Sequence, residues 1–444
     1  MSRASLAGRQ RPRPPAGPRA VAVRRLLRVE QGGAHVARLG ASTTDAETSR
    51  LALEIVAGVT RHRRWLDFLI GQFYRGRVSD LDAPLRQILR IGAHDLVVAG
   101  TPPHAAVSEA VDLAAREMHR GAAGLANAVL RALARHAADL PTPATGDAAD
   151  DLAVRHSHPT WLVRRWLDRW GEAATARLLA HDNAPPRFGL RATDGDANAL
   201  LAAIPDADGA PSRWLDDFVT VGRLQPVLRA GLLADGRAAV QDEAAGLVVH
   251  VLAPARGEHV LDAAAAPGGK AVYAALRGAV VTALDVSEAK TALVRQAADA
   301  QGAASLTAVT ADLRTWPGDG TEFDAVLLDA PCSGTGVLAK RADLRWRRDE
   351  SDLAGLAALQ DELLDAAARH VRPGGRLVYA TCSLEPEEND DRVAAFLART
   401  PGWSREPVAG VPETFVTPAG TYEALPHVHG TDGAFAAVLR QSGV

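Results

Sequence analysis

From about Val21 to His136, apolar residues recur at three- and four-residue intervals. In DAPLRQILRIGAHDLVV, Leu85, Ile88, Leu89 and Leu96 share one helical face. HAAVSEAVDLAAREM and GLANAVLRALARHAADL keep that rhythm, with breaks at AGTPPH and HRGAAG. The pattern predicts a helical bundle over residues 21–140 and a Pro/Thr/Gly/Asp linker over 141–150. Residues 151–236 read as a small mixed connector: HSHPTWLVRRWLDRWG, with Pro159 at a helix start, and then PPRFGLRAT as a strand. After Ala238 the rhythm changes again. HVLDAAAA, AVVTALD, LTAVTAD, FDAVLLDAP and RLVYATCS are short buried strands, and helices beginning at PGGKAVYAALRG, SEAKTALVRQAADAQG and LAGLAALQDELLDAAARHV alternate with them. RPGG reads as the stop of the last helix. Alternation with short connections predicts an α/β domain over 237–444, a mostly parallel sheet covered on both faces.

Ligands of such sheets bind beyond the carboxyl ends of the strands, where four strands end in carboxylates: Asp262, Asp285, Asp312 and Asp329. A single Asp there is commonly a helix cap; four in register after a Gly loop point to a nucleoside-containing cofactor. Asp285 closes the second strand, at about the distance from the Gly loop where such sheets place the acid that grips ribose hydroxyls. The loop itself is AAAAPGGKA. It lacks both G-x-G-x-x-G and G-x-x-x-x-G-K-[ST], which argues against a dinucleotide and a nucleoside triphosphate. S-adenosyl-L-methionine fits instead. Its ribose would meet Asp285, its adenine amino group Asp312, and its carboxylate the amides that open the helix.

The chain has 444 residues, a net charge of −3, and no apolar run long enough to span a bilayer. The N-terminus has no secretory pattern, and two cysteines make no disulfide framework, so a cytoplasmic protein is expected. Residues 1–20 read as a disordered basic arm. Eight arginines precede the first acid, Glu30; the arm either neutralises phosphates or merely solubilises. Among 50 basic residues only Lys270, Lys290 and Lys340 are lysines, so a retained lysine or cysteine carries weight. Trp161, Leu162, Arg165 and Trp166 lie along one helical side, as a base-stacking surface or as an inter-domain core with snorkelling arginines.

Both cysteines follow strand tips: Cys332 in DAPCSGTG and Cys382 in YATCSLEPEEN. A buried cysteine is often just a small hydrophobe, but two at adjacent tips of a thiol-poor chain suggest nucleophilic chemistry. A thiolate added to carbon 6 of a cytosine makes carbon 5 nucleophilic toward a sulfonium methyl group. At Cys382 two effects oppose: a following helix terminus lowers a thiol pKa, while Glu387 and Glu388 raise it.

DAAAAPGGK, ALD, DAPCSGTG, RADLRW and YATCSLEPEEN closely resemble the RNA cytosine-5 methyltransferases of the Nol1/Nop2/Sun type. QILRIGAHDLVVAGTPPHAAVSEAVDLA and GLANAVLRALAR resemble the NusB-like RNA-binding domain of the bacterial Sun/Fmu subgroup; HPTWLVRRWLDRWG, QDEAAGLVV and LPHVHGTDGAFAAVLR follow its order. The resemblance spans roughly residues 21–444. It implies a Rossmann-like class I methyltransferase domain after an all-α NusB-like bundle, acting on a cytosine of 16S rRNA. By this resemblance Cys382 is the nucleophile, Cys332 assists release of the held RNA, and Asp329 bonds the cytosine. Ala264, Ala265, Ala266, Pro267, Gly268, Gly269 and Lys270, with Asp285, Asp312 and Asp329, would line the cofactor site. No metal is assigned. The implied partner is 16S rRNA, bare or in an early small-subunit particle, with no DNA or membrane and a monomeric enzyme.

The chain departs from the family at Ala264, where Cys is usual, at Ala271, where Thr is usual, and at Thr193, where Asn is usual. Lys270 is expected to face the cleft, and KRADLRWRR to contact phosphates and bases. Two other readings are a non-catalytic RNA-binding protein, disfavoured by intact Cys382, Cys332 and Asp329, and a nicotinamide oxidoreductase, disfavoured by the missing G-x-G-x-x-G.

Overall fold

The computed structural model describes residues 17–31, 33, 45–318 and 320–443. Residues 1–16 of the expected basic arm lie outside the described residues, and Pro18 to Ala20 open the first helix. The chain divides into two compact units, Met1–Arg165 with Arg341–Asp343, and Trp166–Lys340 with Leu344–Val444.

The first unit is helical, as its periodicity predicts: α1 (Pro18–Gln31), α2 (Ala46–Phe73), α3 (Ala83–Val97), α4 (Pro103–Glu117), α5 (Arg120–Arg135) and α6 (Ala148–Arg155). Local chemistry sets the helix starts. Asp45 accepts from the Thr48 amide, Asp147 from the amides of Ala149 and Asp150, and prolines occupy the first turns of α3 and α4. Helix α3 is buried along nearly its whole length. Small residues make this possible: a Cβ on Gly92 would stand 2.5 Å from Leu130, and one on Gly58 would strike the His94 ring. The buried Arg90 forms two 2.7 Å bonds to Asp67 and reaches Glu30 at 3.1 Å. The expected linker, 141–150, ends inside α6, which Arg64 of α2 holds through Asp150 at 2.7 Å.

Helix α7 (Thr160–Asn183) is broken at Gly171, whose φ of 74° is left-handed. It leads to β1 (Phe188–Ala192), α8 (Ala197–Ala202), β2 (Gly209–Pro211), β3 (Phe218–Val221), α9 (Gln225–Arg229) and β4 (Ala238–Val240). These strands form an antiparallel sheet in the order β2-β3-β1-β4. The sequence pattern showed one strand there; three- to five-residue strands are too short to display alternation. β4 also lies past residue 236, where the pattern placed the connector's end.

The remaining elements are α10 (Glu243–Leu252), β5 (His259–Asp262), α11 (Gly269–Leu276), β6 (Val280–Asp285), α12 (Glu288–Gln301), β7 (Leu306–Thr310), β8 (Phe323–Asp329), α13 (Asp352–Ala368), β9 (Val371–Thr381), α14 (Asp390–Arg399), β10 (Trp403–Glu406), β11 (Tyr422–Ala424), α15 (Pro426–His429) and β12 (Ala434–Gln441). The sheet runs β10-β12-β9-β8-β5-β6-β7, with β11 on β12. β9, β8, β5, β6 and β7 are mutually parallel; β12 pairs antiparallel with β9. This is a Rossmann-like doubly wound sheet with an antiparallel edge. One apolar cluster from α10, α11 and α12 covers one face, and another from α13 and α14 covers the other. RPGG lies within the start of β9, next to a register shift against β8, rather than ending α13.

The chain runs outward from β5 to β7, then returns to place β8 on the other side of β5. That reversal opens a crevice beyond Asp262 and Asp329, where open α/β sheets hold their ligands.

Candidate active site

The loop after β5 is pinned by its backbone. The Ala263 amide donates to Leu327 O (2.8 Å), that of Ala265 to Leu284 O (2.9 Å), and that of Gly268 to Ala265 O (2.7 Å). Gly268 has φ 110° and abuts α12: a Cβ there would lie 3.3 Å from the Val294 Cα, so a side chain would be both strained and crowded. The loop therefore enters α11 as bare backbone, with Ala264, Ala266 and Pro267 on its rim.

Lys270, in the first turn of α11, donates to Asp329 Oδ2 at 2.6 Å. Burial pulls its pKa down, but Asp329, and then Asp262, pull it up further, leaving it raised. Asp262 is buried, and its Oδ1 has no partner. Burial, reinforced by the charge of Asp329, pushes its pKa up to about 7. Asp285 is 5% exposed; its Oδ1 accepts from the Ser287 amide (3.1 Å) and lies 3.5 Å from Lys290. Asp312, two residues past β7, is held by Arg314, whose side-chain and backbone hydrogen bonds lower its pKa. The expected adenine contact thus carries an ion pair while its side chain stays 31% exposed.

The two sulfurs stand 3.2 Å apart. The hydrogen bond with Cys382 and burial push the Cys332 pKa well up. Close backbone packing joins the two cysteine loops: the Gly336 amide donates to Cys382 O (3.0 Å), and the Gly433 amide donates to Gly336 O (2.7 Å). A Cβ on Gly336 would lie 2.8 Å from both Cys382 O and Gly433 Cα.

Glu388 enters the sequence reading only as a negative charge following Cys382. In the structure a 3-10 turn (Pro386–Glu388) precedes α14, and Glu388 is 0% exposed. Its Oε1 accepts from the Ser333 amide (2.8 Å) and Gln360 Nε2 (3.0 Å); its Oε2 accepts from the hydroxyls of Ser333 and Ser383. The repeated serine in PCS and TCS was the available signal.

Other expected contact residues are used internally. Lys340 is gripped by Asp242 and Asp432, and the buried Arg345 donates to Asn183 Oδ1 at 2.8 Å. These two residues of KRADLRWRR are tied into the fold by these partners. Trp166 is buried and donates to Glu385 Oε1 (3.1 Å) within its own unit. Thr193 donates to Gly236 O at 2.6 Å. All three lysines pair with aspartates.

S-Adenosyl-L-methionine fits these residues. The bare-backbone entry to α11 would take a carboxylate, Asp285 at the end of β6 would take ribose hydroxyls, and the neighbouring Val286, its side chain 64% exposed, would face a purine. Fold and crevice together define a class I methyltransferase using that cofactor.

A family model described as 16S rRNA methyltransferase RsmB/F matches residues 249–440, and a NusB family model matches residues 17–135. The probable ribosomal RNA small subunit methyltransferase B of Bacillus subtilis is 32% identical, covering 96% of this chain and 99% of its own. The ribosomal RNA small subunit methyltransferase B of Salmonella typhi is 35% identical, covering 88% and 90%. Among solved structures, the crystal structure of PH0851 aligns at TM-score 0.75 and 26% identity over 90% of this chain and 92% of that one. A methyltransferase homolog from Pyrococcus horikoshii aligns at 0.56 and 26% over 66% and 99%. The chain belongs to the RsmB/F family of RNA methyltransferases, with a NusB-like domain ahead of the catalytic one. Among the described residues no helix is long and apolar enough to cross a membrane.

Proposed function

We propose that this enzyme methylates carbon 5 of a cytosine in 16S rRNA through a covalent bond from Cys382 to carbon 6. The observation that carries the reading is the pair of sulfurs 3.2 Å apart beside the Lys270–Asp329 pair. Asp329 would hold the cytosine edge, with Lys270 fixing its carboxyl. The thiolate of Cys382 adds to carbon 6, and the electron pair displaced onto carbon 5 makes that atom the nucleophile. S-Adenosyl-L-methionine, held by residues 264–270, Asp285 and Asp312, supplies a methyl group on a sulfonium. Solvent water takes the carbon-5 proton, and the electron pair of that C–H bond re-forms the ring double bond and expels the Cys382 sulfur. Cys332, whose pKa is raised, is placed to return a proton to the departing sulfur and so complete release.

The target base must leave its stack to reach this crevice. The NusB-like unit would grip phosphates of the same RNA, with the enzyme acting as a monomer in the cytoplasm, where both thiols stay reduced. Bisulfite sequencing of 16S rRNA from cells with and without the gene tests this function. One cytosine that loses protection in the deletion strain is expected; an unchanged profile contradicts it.

A further inference from the structure

Glu388 is buried among neutral donors. Its two oxygens accept four hydrogen bonds, filling the acceptor positions of a carboxylate, and among the described residues no lysine or arginine pairs with it. Two of the donors are the residues that immediately follow the cysteines: Ser333 after Cys332 and Ser383 after Cys382. These hydroxyls are also within 3.1 Å of each other. Gln360 of α13 binds both Glu388 and Pro331 O (2.9 Å), and Tyr379 of β9 donates to Glu388 O (2.6 Å). One side chain thus joins two loops 50 residues apart in sequence to the elements beneath them.

We propose that Glu388 is a positioning residue for the two thiols: through Ser333 and Ser383 it sets the separation and direction of the Cys332 and Cys382 sulfurs. This rests on the reading that those thiols do the chemistry. Effective catalysis needs reacting atoms held in near-attack geometry, and surface loops do not supply it unaided. A carboxylate does so here because each of its oxygens accepts two bonds, both hydroxyls on Oε2 and the Ser333 amide with Gln360 on Oε1, whereas an amide of the same size has only one accepting oxygen.

The test compares wild type with Glu388→Gln and Ser383→Ala. Glu388→Gln keeps the shape but turns one accepting oxygen, with its two bonds, into an NH2 donor; Ser383→Ala keeps the carboxylate and removes one tether. Two readouts are taken. The first is kcat and KM with RNA. The second needs no RNA: the rate at which oxidised glutathione converts the two thiols to an intramolecular disulfide, accepting two electrons and two protons to become two molecules of glutathione. Each variant should lower kcat at least about tenfold with KM within about twofold, and slow disulfide closure by a similar factor. Removing a negative charge alone would favour thiolate and speed that exchange, so slowing reports geometry. Wild-type kcat and closure rate overturn the proposal. So does a lost kcat with unchanged closure, because Glu388 would then act elsewhere. Should Glu388→Gln not fold, Ser383→Ala alone decides by the same two readouts. Failure of the nucleophile reading would show separately, as turnover retained by Cys382→Ala.

Discussion

Cys332 and Cys382 place their sulfurs 3.2 Å apart across adjacent strand ends, although each sits on its own loop. Their roles differ because their surroundings do. The Cys332 pKa is pushed up by Cys382 and by burial, which suits a group that holds a proton. Replacing Cys332 with Ala should leave attack intact and block release, so RNA should accumulate on the protein as a complex that survives denaturing electrophoresis. Turnover with no trapped complex would remove the release role.

Gly336 and Gly433 allow the two cysteine loops to touch. A Cβ on Gly336 would meet backbone atoms at 2.8 Å, which cannot yield cheaply. Gly336→Ala should destabilise the protein by about 1–3 kcal/mol, seen as a lower melting temperature, and should slow single-turnover methylation of the folded fraction.

Asp262 makes stability pH-dependent. Its pKa rises from the ordinary carboxylate range to about 7 on folding, so the folded state binds the proton more tightly than the unfolded one. The stability this contributes is fully present below about pH 3.9 and is lost as pH rises through about 7. Asp262→Asn removes that dependence. Its advantage over wild type in chemical denaturation should grow between mildly acidic and mildly alkaline pH. A constant difference would contradict the assignment.

Lys270 and Asp329 act as one unit, joined at 2.6 Å. Lys270→Met and Asp329→Asn should each lower kcat at least about tenfold, and the double variant should be no worse than the worse single, because coupled residues are non-additive. Multiplying effects would show independent roles.

The first unit's role is tested by deleting residues 1–140. RNA affinity should fall, and the slope of log affinity against log salt should flatten, as phosphate contacts are lost. An unchanged slope assigns the bundle another task.

Much of this fold is written in the order of residues. Helical periodicity over 21–140 and the alternation after Ala238 define the bundle and the parallel sheet, and the four strand-tip acids point to the crevice. Long-range pairing is not written there. β2 and β4 are three residues each, too short for a pattern, and find their partners only through the tertiary fold. Lys340 and Arg345 look like RNA contacts in sequence because a charge run does not reveal which partners burial supplies. Glu388 is legible in EPEEN only as a charge close to the second cysteine; its bonds to both serines are set by the tertiary fold.

The most direct measurement is mass spectrometry of proteolysed Cys332→Ala enzyme after incubation with substrate RNA and S-adenosyl-L-methionine, digesting the RNA to nucleotides. The account predicts one modified peptide, with a methylated cytidine nucleotide on the sulfur of Cys382. A trapped nucleotide on any other residue, or turnover retained by Cys382→Ala, would contradict it.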